Sequence, residues 1–568
     1  MKNWRINLIF FFVFLFAFAI IGRLAYVQIL QGDFYRALAR SQQKFFKEIK
    51  EERGEIFLVD KNQNLRPLAI NRDWYFVFIS PATIREEERR KISENLSQIL
   101  NLEKEAILEK TKNENSFFRI IKNRLSQEEV TKLKDANLTG VYLRRETLRY
   151  YPNDFLASQV IGFVNNSGDG QYGLEGYYNE ILRGRSGKKT GIRDVWGRVI
   201  RLISKTDNRK GPSLVLTIDY NIQWTAERLL NESHKKWDIE QGTIIVMEPH
   251  SGAILALANF PNFNPNYFFR YNDLKIFKNP STQKVFEPGS VFKPIVIAAG
   301  LNQRKITPQT VYKDEGFIRI GNRFIRNFAR RIWGEQTITQ ILAKSINTGT
   351  VFLQNKIGQE LFYKYIRKFG FLEPTKIDLQ GEVYLRNRHL RPGSREINFA
   401  TASFGQGIAI TPIQLIRSFA IIANGGRAIR PHLVQRIIDQ KDKDLKIQPL
   451  KPDKQIISPK TASQLTSMLV SAVDHKFLRR AQISGYYVAG KTGTANIPWS
   501  ALGQNRPGYS DKTIHTIVGF APALDPQFVI LVKLNQPLGA RTASVSTAPI
   551  FRELAKFIIN YWKLPPGR

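Results

Sequence analysis

The chain lacks cysteine altogether, so disulfide bonds and thiolate metal sites are excluded. Its six histidines do not form a His-Glu-x-x-His spacing, and we expect neither a metal site nor a cofactor. Acidic residues are scarce, since 49 Asp and Glu face 85 Lys and Arg and give a net charge of +36. Such an excess suits nucleic acid, or anionic membranes and wall polymers. The basic residues are spread along solvated faces with short clusters at 326–331 and 386–395, and no nucleic-acid module is present, so we expect no nucleic-acid partner.

Long hydrophobic runs are also rare, and a single one stands out. Residues 8–22 carry no charge, and with residues 6 and 7 the run reaches about 17 residues, the short end of a membrane-spanning helix. Lys2 and Arg5 precede it, as expected for a cytoplasmic amino terminus. A cleaved signal peptide is the alternative, because residues 17–19 fit a small-residue cleavage site. The helical pattern continues to Val27, which favours an uncleaved anchor with the rest of the chain outside the membrane.

Composition shifts along the chain suggest four segments. We expect a cytoplasmic tail and transmembrane anchor at 1–24, a helical stalk at 25–50, an amino-terminal module at 51–205, and a large domain at 212–568. In the module, Ser126-Gln127-Glu128-Glu129 is a capping-box pattern that predicts a helix. The large domain is predicted to have strands near both ends and helices between them, which indicates an α+β fold with one sheet. Its predicted strands and closing helix are 242–248, 253–259, 486–497, 515–521, 527–534 and 547–562.

Three short motifs follow one another in this domain. They are Ser290-Val291-Phe292-Lys293, Ser345-Ile346-Asn347 and Lys491-Thr492-Gly493-Thr494. Each is weak alone, but this order is the signature of penicillin-reactive serine enzymes. Taken one by one, the motifs also fit an N-cap serine, a solvated helix lysine and a hairpin turn.

The spacing of the first motif fits acyl transfer. A serine hydroxyl needs a base within hydrogen-bond reach, and a residue three positions later on a helix lies on the same face. Because Pro288-Gly289 is a turn signal, we predict a helix that begins at Ser290 and brings the Lys293 amine near the hydroxyl. A catalytic lysine must be desolvated or placed near another cation to lower its pKa.

The other two motifs supply the remaining roles. We predict that Lys491 is the second cation, that Ser345 relays protons, and that Asn347 holds Lys293 and a substrate amide. Gly493 would let a substrate backbone approach the Lys491 strand closely. The backbone N–H groups of Ser290 and Thr494 would form the oxyanion hole.

The flanking sequence resembles the class B penicillin-binding proteins along nearly its whole length. The similar segments run in the family's order from Arg53 to Pro522, although the first is looser, with Lys61 where an Arg is more usual. These segments are 53–56, 60–62, 68–69, 149–152, 170–175, 216–219, 264–266, 286–289, 404–407, 411–414, 423–426 and 519–522.

The resemblance implies a penicillin-binding transpeptidase domain on an amino-terminal α/β pedestal module with one transmembrane helix. It implies a D,D-transpeptidase that cross-links peptidoglycan stem peptides through acyl-Ser290 and is inhibited by β-lactams. Lys293 would be the base, Ser345 and Asn347 the second motif, and Lys491, Thr492 and Thr494 the carboxylate and oxyanion partners. We also expect a membrane-embedded glycan polymerase and other divisome proteins as partners.

Other functions remain open on sequence grounds. A D,D-carboxypeptidase or β-lactamase would use the same motifs with water in place of the amine. A non-catalytic scaffold or β-lactam sensor is less favoured, because all three motifs are intact and few residues precede the apolar run. Glu287, Asn347 and Thr492 resemble division-type more than elongation-type enzymes, so we expect a septal role.

Overall fold

A computed structural model of the chain describes residues 4–31, 44–49, 52–113, 115–184, 187–193, 199–205, 210–439, 443–445 and 454–567. The chain forms two compact units. One contains Met1–Gly54 with Arg183–Pro212, and the other contains Glu55–Leu182 with Ser213–Arg568.

The described residues form 21 strands, numbered in chain order. They are β1 (Lys44–Ile49), β2 (Ile56–Val59), β3 (Leu65–Ile79), β4 (Arg119–Lys122), β5 (Val141–Tyr150), β6 (Phe163–Val164), β7 (Gly170–Gln171), β8 (Gly187–Arg193), β9 (Val199–Lys205), β10 (Ser213–Asp219), β11 (Gln241–Met247), β12 (Ile254–Phe260), β13 (Val311–Asp314), β14 (Phe317–Ile320), β15 (Arg323–Arg326), β16 (Gly334–Thr337), β17 (Val434–Ile438), β18 (Asp444–Leu445), β19 (Ala489–Pro498), β20 (Tyr509–Ala521) and β21 (Phe528–Asn535).

The α-helices of the described residues are numbered in the same way. They are α1 (Trp4–Ala25), α2 (Arg89–Leu100), α3 (Lys104–Thr111), α4 (Gln127–Ala136), α5 (Ser158–Ile161), α6 (Gly173–Tyr177), α7 (Asn179–Leu182), α8 (Tyr220–Trp237), α9 (Pro280–Gln283), α10 (Lys293–Asn302), α11 (Ile338–Lys344), α12 (Asn347–Ile357), α13 (Gln359–Lys368), α14 (Glu396–Ser403), α15 (Pro412–Ala423), α16 (Pro459–Asp474) and α17 (Ala543–Trp562).

The smaller unit contains the apolar helix and a three-stranded antiparallel sheet. Helix α1 continues as one π-helical turn to Leu30, and the span Ile6–Ile29 is long and apolar enough to cross a membrane. Strands β1, β8 and β9 pair in that order. The predicted helical stalk is wrong at residues 44–49, because their backbone pairs with β8 as a strand. Residues 32–43 of the stalk lie outside the described residues.

The larger unit contains a seven-stranded sheet and a five-stranded sheet. The first has the order β18-β17-β10-β2-β3-β4, with β5 also paired to β3, and β10 runs parallel to β2. Its strands therefore come from both the predicted 51–205 module and the predicted 212–568 domain. The expected capping box is present, since Ser126 accepts from the Glu129 N–H and begins α4. The predicted domain boundary runs from Lys205 to Pro212. The structure describes residues 205 and 210–212 of this segment, and residues 206–209 lie outside the described part of the chain.

The five-stranded sheet is antiparallel, with the order β12-β11-β21-β20-β19. Ile244, Val532 and Ile517 on one face pack with apolar residues of α8 and α17, and the other face belongs to a core shared with α10, α15 and α16. The sequence predicted these five strands and the closing helix, although β20 begins six residues and α17 four residues earlier than expected. The mixed α+β class is confirmed, but the expected single sheet is not, because residues 212–568 also supply β10, β17 and β18 to the seven-stranded sheet and form two two-stranded sheets. Strand β19 lies at the edge of the five-stranded sheet, so one of its sides is open.

Candidate active site

Ser290 lies in a tight turn rather than at the start of an α-helix. Residues Gly289–Phe292 form one 3-10 turn, and α10 begins only at Lys293. Gly289 has φ +61° and donates its N–H to the carbonyl of Gly405 at 2.9 Å. A Cβ on Gly405 would lie 2.1 Å from the Gly289 oxygen, so position 405 has to be glycine, and the positive φ favours glycine at 289. Ser290 itself is partly exposed, as a nucleophile must be.

Lys293 is fully buried at the start of α10. Its Nζ donates to the Ser345 carbonyl at 2.6 Å and to Asn347 Oδ1 at 2.8 Å, and it lies 3.3 Å from Ser345 Oγ. Among the described residues, the hydrogen bonds of this amine go to the second motif and none goes to the Ser290 hydroxyl. Catalytic hydrogen bonds of this kind often tighten only when substrate is bound.

Ser345 joins the two lysines of the site. Lys491 Nζ donates to Ser345 Oγ at 3.0 Å and to its neighbour's carbonyl, that of Thr492, at 3.0 Å. Ser345 lies between α11 and α12 with φ +59°, in the left-handed region that costs a residue with a Cβ about 1–2 kcal/mol. This strain aims the hydroxyl at both amines, and strained backbone of this kind clusters at functional sites.

Burial lowers the pKa of both lysines, and the charge of Lys491 lowers that of Lys293 further. Desolvation, followed by the charge of Lys491, holds the pKa of Lys293 well below its ordinary value. Desolvation lowers the pKa of Lys491 to about 7. A neutral amine has two N–H donors, and the two shortest bonds of Lys293 use both. Its lone pair is then left to accept a hydroxyl proton.

Strand β19 places the third motif against the nucleophile. A Cβ on Gly493 would lie 2.8 Å from the Pro288 carbonyl and 3.3 Å from the Ser290 nitrogen. The sequence predicted that a substrate backbone approaches Gly493. In the structure, the Ser290 turn of the same chain makes this close approach. Thr492 and Thr494 are partly exposed, and Thr494 Oγ1 accepts from the Ala543 N–H at 3.0 Å, which ties the motif to α17.

A buried polar network behind the second motif was missed by the sequence reasoning. Asp314 Oδ1 accepts from the Thr348 hydroxyl at 2.7 Å, and both Asp314 oxygens accept from Asn327 Nδ2 at 3.0 and 2.9 Å. Asn327 Oδ1 in turn accepts from the Asn347 N–H at 3.0 Å. Asp314, Asn327 and Thr348 are buried. Nothing in the local sequence of β13 signals this role, since the contacts join residues more than ten positions apart.

Glu287 and Tyr509, which the sequence did not predict as site residues, form a contact just before the nucleophile. Tyr509 donates its hydroxyl to Glu287 Oε2 at 2.9 Å, and burial raises the pKa of both groups. This contact ties β20 to the segment immediately before Ser290. For metals, the described residues contain no group of three or more His, Asp or Glu that could hold an ion.

The family models match this arrangement of segments. Residues 242–556 match the penicillin-binding protein transpeptidase domain, and residues 48–216 match the penicillin-binding protein dimerisation domain. The chain belongs to the class B penicillin-binding proteins.

Relatives of this penicillin-binding protein extend over most of its length. It is 31% identical to stage V sporulation protein D of Bacillus subtilis, over 91% of this chain and 79% of that protein. It is 31% identical to a peptidoglycan D,D-transpeptidase FtsI homolog of Mesostigma viride, over 99% and 96% of the two chains. Identity to peptidoglycan D,D-transpeptidase FtsI of Escherichia coli K12 is 27%, over 99% and 93%.

Two solved structures share the fold of this penicillin-binding protein. A peptidoglycan synthetase from Bifidobacterium adolescentis superposes with a TM-score of 0.70 at 23% identity, over 93% of this chain and 98% of that one. Penicillin-binding protein 2X from Streptococcus thermophilus gives 0.71 at 21% identity, over 91% and 81%. The expected α+β fold of a penicillin-binding transpeptidase is thereby confirmed.

Proposed function

We propose that this protein is a peptidoglycan D,D-transpeptidase that works through an acyl-Ser290 intermediate. The observation that carries the proposal is the pair of buried lysines, Lys293 and Lys491, joined by Ser345 beside the Ser290 turn. Relatives that match nearly the full chain are named peptidoglycan D,D-transpeptidases, which supports the same reaction.

In the first half of the reaction, Ser290 Oγ attacks the carbonyl between two terminal D-alanines. Neutral Lys293 takes the hydroxyl proton as the Oγ–C bond forms. The N–H groups of Ser290 and Thr494 hold the negative oxygen, because β19 presents an open edge to this turn. As the C–N bond breaks, the proton passes to the leaving amine through Ser345, and D-alanine departs.

In the second half, the amine of another stem peptide attacks the acyl carbonyl. It loses a proton to the same base, the ester bond to Ser290 breaks, and the hydroxyl regains its proton. Lys491, Thr492 and Thr494 bind the carboxylate of the donor peptide, and Asn347 positions Lys293 together with a substrate amide. A β-lactam that mimics the donor remains as an ester on Ser290.

We place the reaction outside the membrane. The transmembrane anchor at 1–24, the amino-terminal pedestal module at 51–205 and the transpeptidase domain at 212–568 divide the chain. The span Ile6–Ile29 and the ranges of the two family models support this division. We also propose a role in septal wall synthesis, with a membrane-embedded glycan polymerase and other divisome proteins as partners. The match to relatives named FtsI over nearly the full chain is compatible with this role.

Mass spectrometry of the intact protein tests the nucleophile. The wild type should gain one benzylpenicillin adduct, and Ser290→Ala should gain none while it unfolds at the same temperature. An adduct retained in the alanine variant would end the assignment. Product analysis with stem-peptide strands and an acceptor amine then separates cross-linking from hydrolysis. Trimmed peptides without cross-linked dimers would identify a D,D-carboxypeptidase instead.

A further inference from the structure

A basic hairpin borders the second motif. Residues 317–333 include five arginines and no acidic residue or lysine. The hairpin is fixed to the site, because Asn347 Nδ2 donates to the Arg326 carbonyl at 3.2 Å and Asn327 accepts from the Asn347 N–H at 3.0 Å. Its arginines are exposed, and they are Arg319, Arg323, Arg326, Arg330 and Arg331.

A second basic loop is tied to the segment that precedes the nucleophile. Residues 384–395 include four arginines, again without an acidic residue or a lysine. Asn387 exchanges two hydrogen bonds with Ala409, at 3.1 and 3.2 Å, and Ile410 pairs with Phe286, four residues before Ser290. Residues 384–389 also line an open cavity of about 550 Å³. The exposed arginines of this loop are Arg386, Arg388, Arg391 and Arg395.

The two segments share one support. Ile325 of the hairpin packs in one apolar cluster with Val351 of α12 and with Ala400 and Phe404 at α14, which begins just after the loop. Helix α12 also starts with Asn347 of the second motif. The nine arginines of residues 317–333 and 384–395, here called the arginine rim, therefore lie on two segments that are tied to the second motif and to the chain just before Ser290.

The rim has the chemistry of an oxyanion site. None of its arginines has a carboxylate within salt-bridge distance in the part of the chain that the structure describes. The whole chain uses arginine and lysine about equally, yet the two segments contain nine arginines and no lysine. A guanidinium binds carboxylate or phosphate through two parallel hydrogen bonds, which lysine cannot do. Aromatic rings hold some of these groups in place, with Arg331 over Trp333 and Phe477 at 5.8 and 5.4 Å.

We propose that the arginine rim binds the carboxylates of the stem peptides that enter the cleft, and so selects polyanionic peptide strands as substrates. This inference rests on the proposed transpeptidase function, because only that function brings peptide strands to Ser290. A peptide in the cleft extends about 3.3 Å per residue beyond the reacting bond, so carboxylates a few residues away come within reach of the rim. Charges at this position steer and hold an anionic strand before the chemical step.

The test uses the full-length protein in detergent and two versions of one soluble stem peptide. One version keeps its carboxylates, and the other has all of them except the terminal one converted to carboxamides. The readout is carboxylate preference, the ratio of kcat/KM for cross-linking the two peptides. The binding preference of the Ser290→Ala protein for fluorescent forms of both peptides is measured in parallel, so the test does not depend on turnover.

We expect Arg323→Gln, Arg326→Gln and Arg330→Gln together to lower both preferences about tenfold, chiefly through KM. Each exposed guanidinium–carboxylate contact contributes roughly two- to fivefold. The triple lysine variant should keep part of the preference, since it keeps the charge but not the paired hydrogen bonds. The control variant carries Arg119→Gln and Arg552→Gln, at exposed arginines far along the chain from the rim. Its carboxylate preference should stay within about twofold of the wild type.

Other results would overturn the inference. Unchanged preferences in the glutamine variant would do so. A loss of the same size per charge removed in the Arg119 and Arg552 control would also do so, because it would reflect net charge alone. Glycerol-phosphate polymer that binds the Ser290→Ala protein more tightly than the carboxylated peptide would assign the rim to phosphate. A protein that binds the peptides with the expected preference but forms neither penicillin adduct nor cross-links would contradict the proposed function and leave the rim standing.

Discussion

The charge of Lys491 adds to the effect of burial on how easily Lys293 gives up its proton. Burial and the Lys491 charge together lower the pKa of Lys293, and only the neutral amine can accept the Ser290 proton. Lys491→Ala removes the repulsion and raises the pKa of Lys293. The fall in acylation rate on acidification should then begin at a higher pH than in the wild type.

Benzylpenicillin acylation rates measured from about pH 5 to 9 check this shift. Lys491→Arg is the matched control, because it keeps a charge at the same position and should leave the acid limb near its wild-type pH. Both variants lose some substrate binding. The comparison therefore uses the pH at which the acylation rate falls, and it does not use the size of the rate. A limb that stays in place or moves to lower pH in Lys491→Ala would refute the coupling.

Two substitutions at Ser345 separate the effect of its left-handed backbone from the effect of its hydroxyl. Ser345→Gly removes both the hydroxyl and the strain at φ +59°, whereas Ser345→Ala removes only the hydroxyl. We expect the glycine variant to be about 0.5–1 kcal/mol more stable than the alanine variant in denaturant unfolding, because relief of strain outweighs glycine's extra unfolded-state entropy.

Acylation should fall about 10²-fold or more in both Ser345 variants, because both lose the hydroxyl between Lys293 and Lys491. Recovery of the rate in the glycine variant alone would show that geometry at this position matters and that the hydroxyl does not.

At the scale of elements, the site depends on how closely β19 approaches the Ser290 turn. Gly493→Ala puts a methyl group 2.8 Å from the Pro288 carbonyl and must push the turn away from the strand. A displacement near 1 Å costs about 10²-fold in rate, so acylation should fall by that order. Gly490→Ala on the same strand meets its nearest atoms at 3.4 Å and serves as the control. Equal acylation by the two variants would mean that the turn tolerates the shift.

A buried polar row crosses the same sheet from Gly493. Thr516, Lys533, Thr243 and Asn259 follow one another in register on β20, β21, β11 and β12, and all are buried. Lys533 donates to Asn535 Oδ1 at 2.6 Å, and desolvation lowers its pKa to about 7. An unfolded lysine titrates near 10.4, so between about pH 7 and 10 the unfolded chain binds more protons and stability rises with pH.

Replacement of Lys533 should therefore stabilise the fold. Lys533→Met should raise the free energy of unfolding by about 1–4 kcal/mol, the range for apolar replacement of buried charge. The gain should be largest below pH 7 and shrink as the pH rises towards 10. Thermal unfolding across this range measures it, with exposed Lys512→Met expected within about 0.5 kcal/mol of the wild type. A gain that does not depend on pH would contradict the cost assigned to the charge.

The sequence was informative about elements wherever chemistry or periodicity is local. The strands of the five-stranded sheet, the Ser126 cap and the apolar span were predicted because alternation, capping and long apolar runs are properties of neighbouring residues. The Asp314 network and the Glu287–Tyr509 contact were missed because they join distant segments. Strand β1 was mistaken for helix, since its structure depends on pairing with β8 about 140 residues later.

At the scale of the whole molecule, the enzyme can serve either septal wall synthesis or elongation of the side wall. Three residues favour the division type: Glu287 before the nucleophile, Asn347 in the second motif and Thr492 in the third. Relatives named FtsI match over nearly the full chain, although stage V sporulation protein D matches equally well in identity. We expect depletion to produce filaments with blocked septa and a fluorescent fusion to gather at midcell.

A Ser290→Ala fusion expressed in the depleted cells separates position from activity. It should still gather at midcell, because the anchor and the 51–205 module, which we propose to bind the glycan polymerase, are intact. It should fail to restore septa, because no acyl-enzyme can form without the Ser290 hydroxyl. A fusion that lacks the span Ile6–Ile29 should be dispersed even with Ser290 in place. Swollen, rounded cells with a dispersed wild-type fusion would instead assign the enzyme to elongation of the side wall.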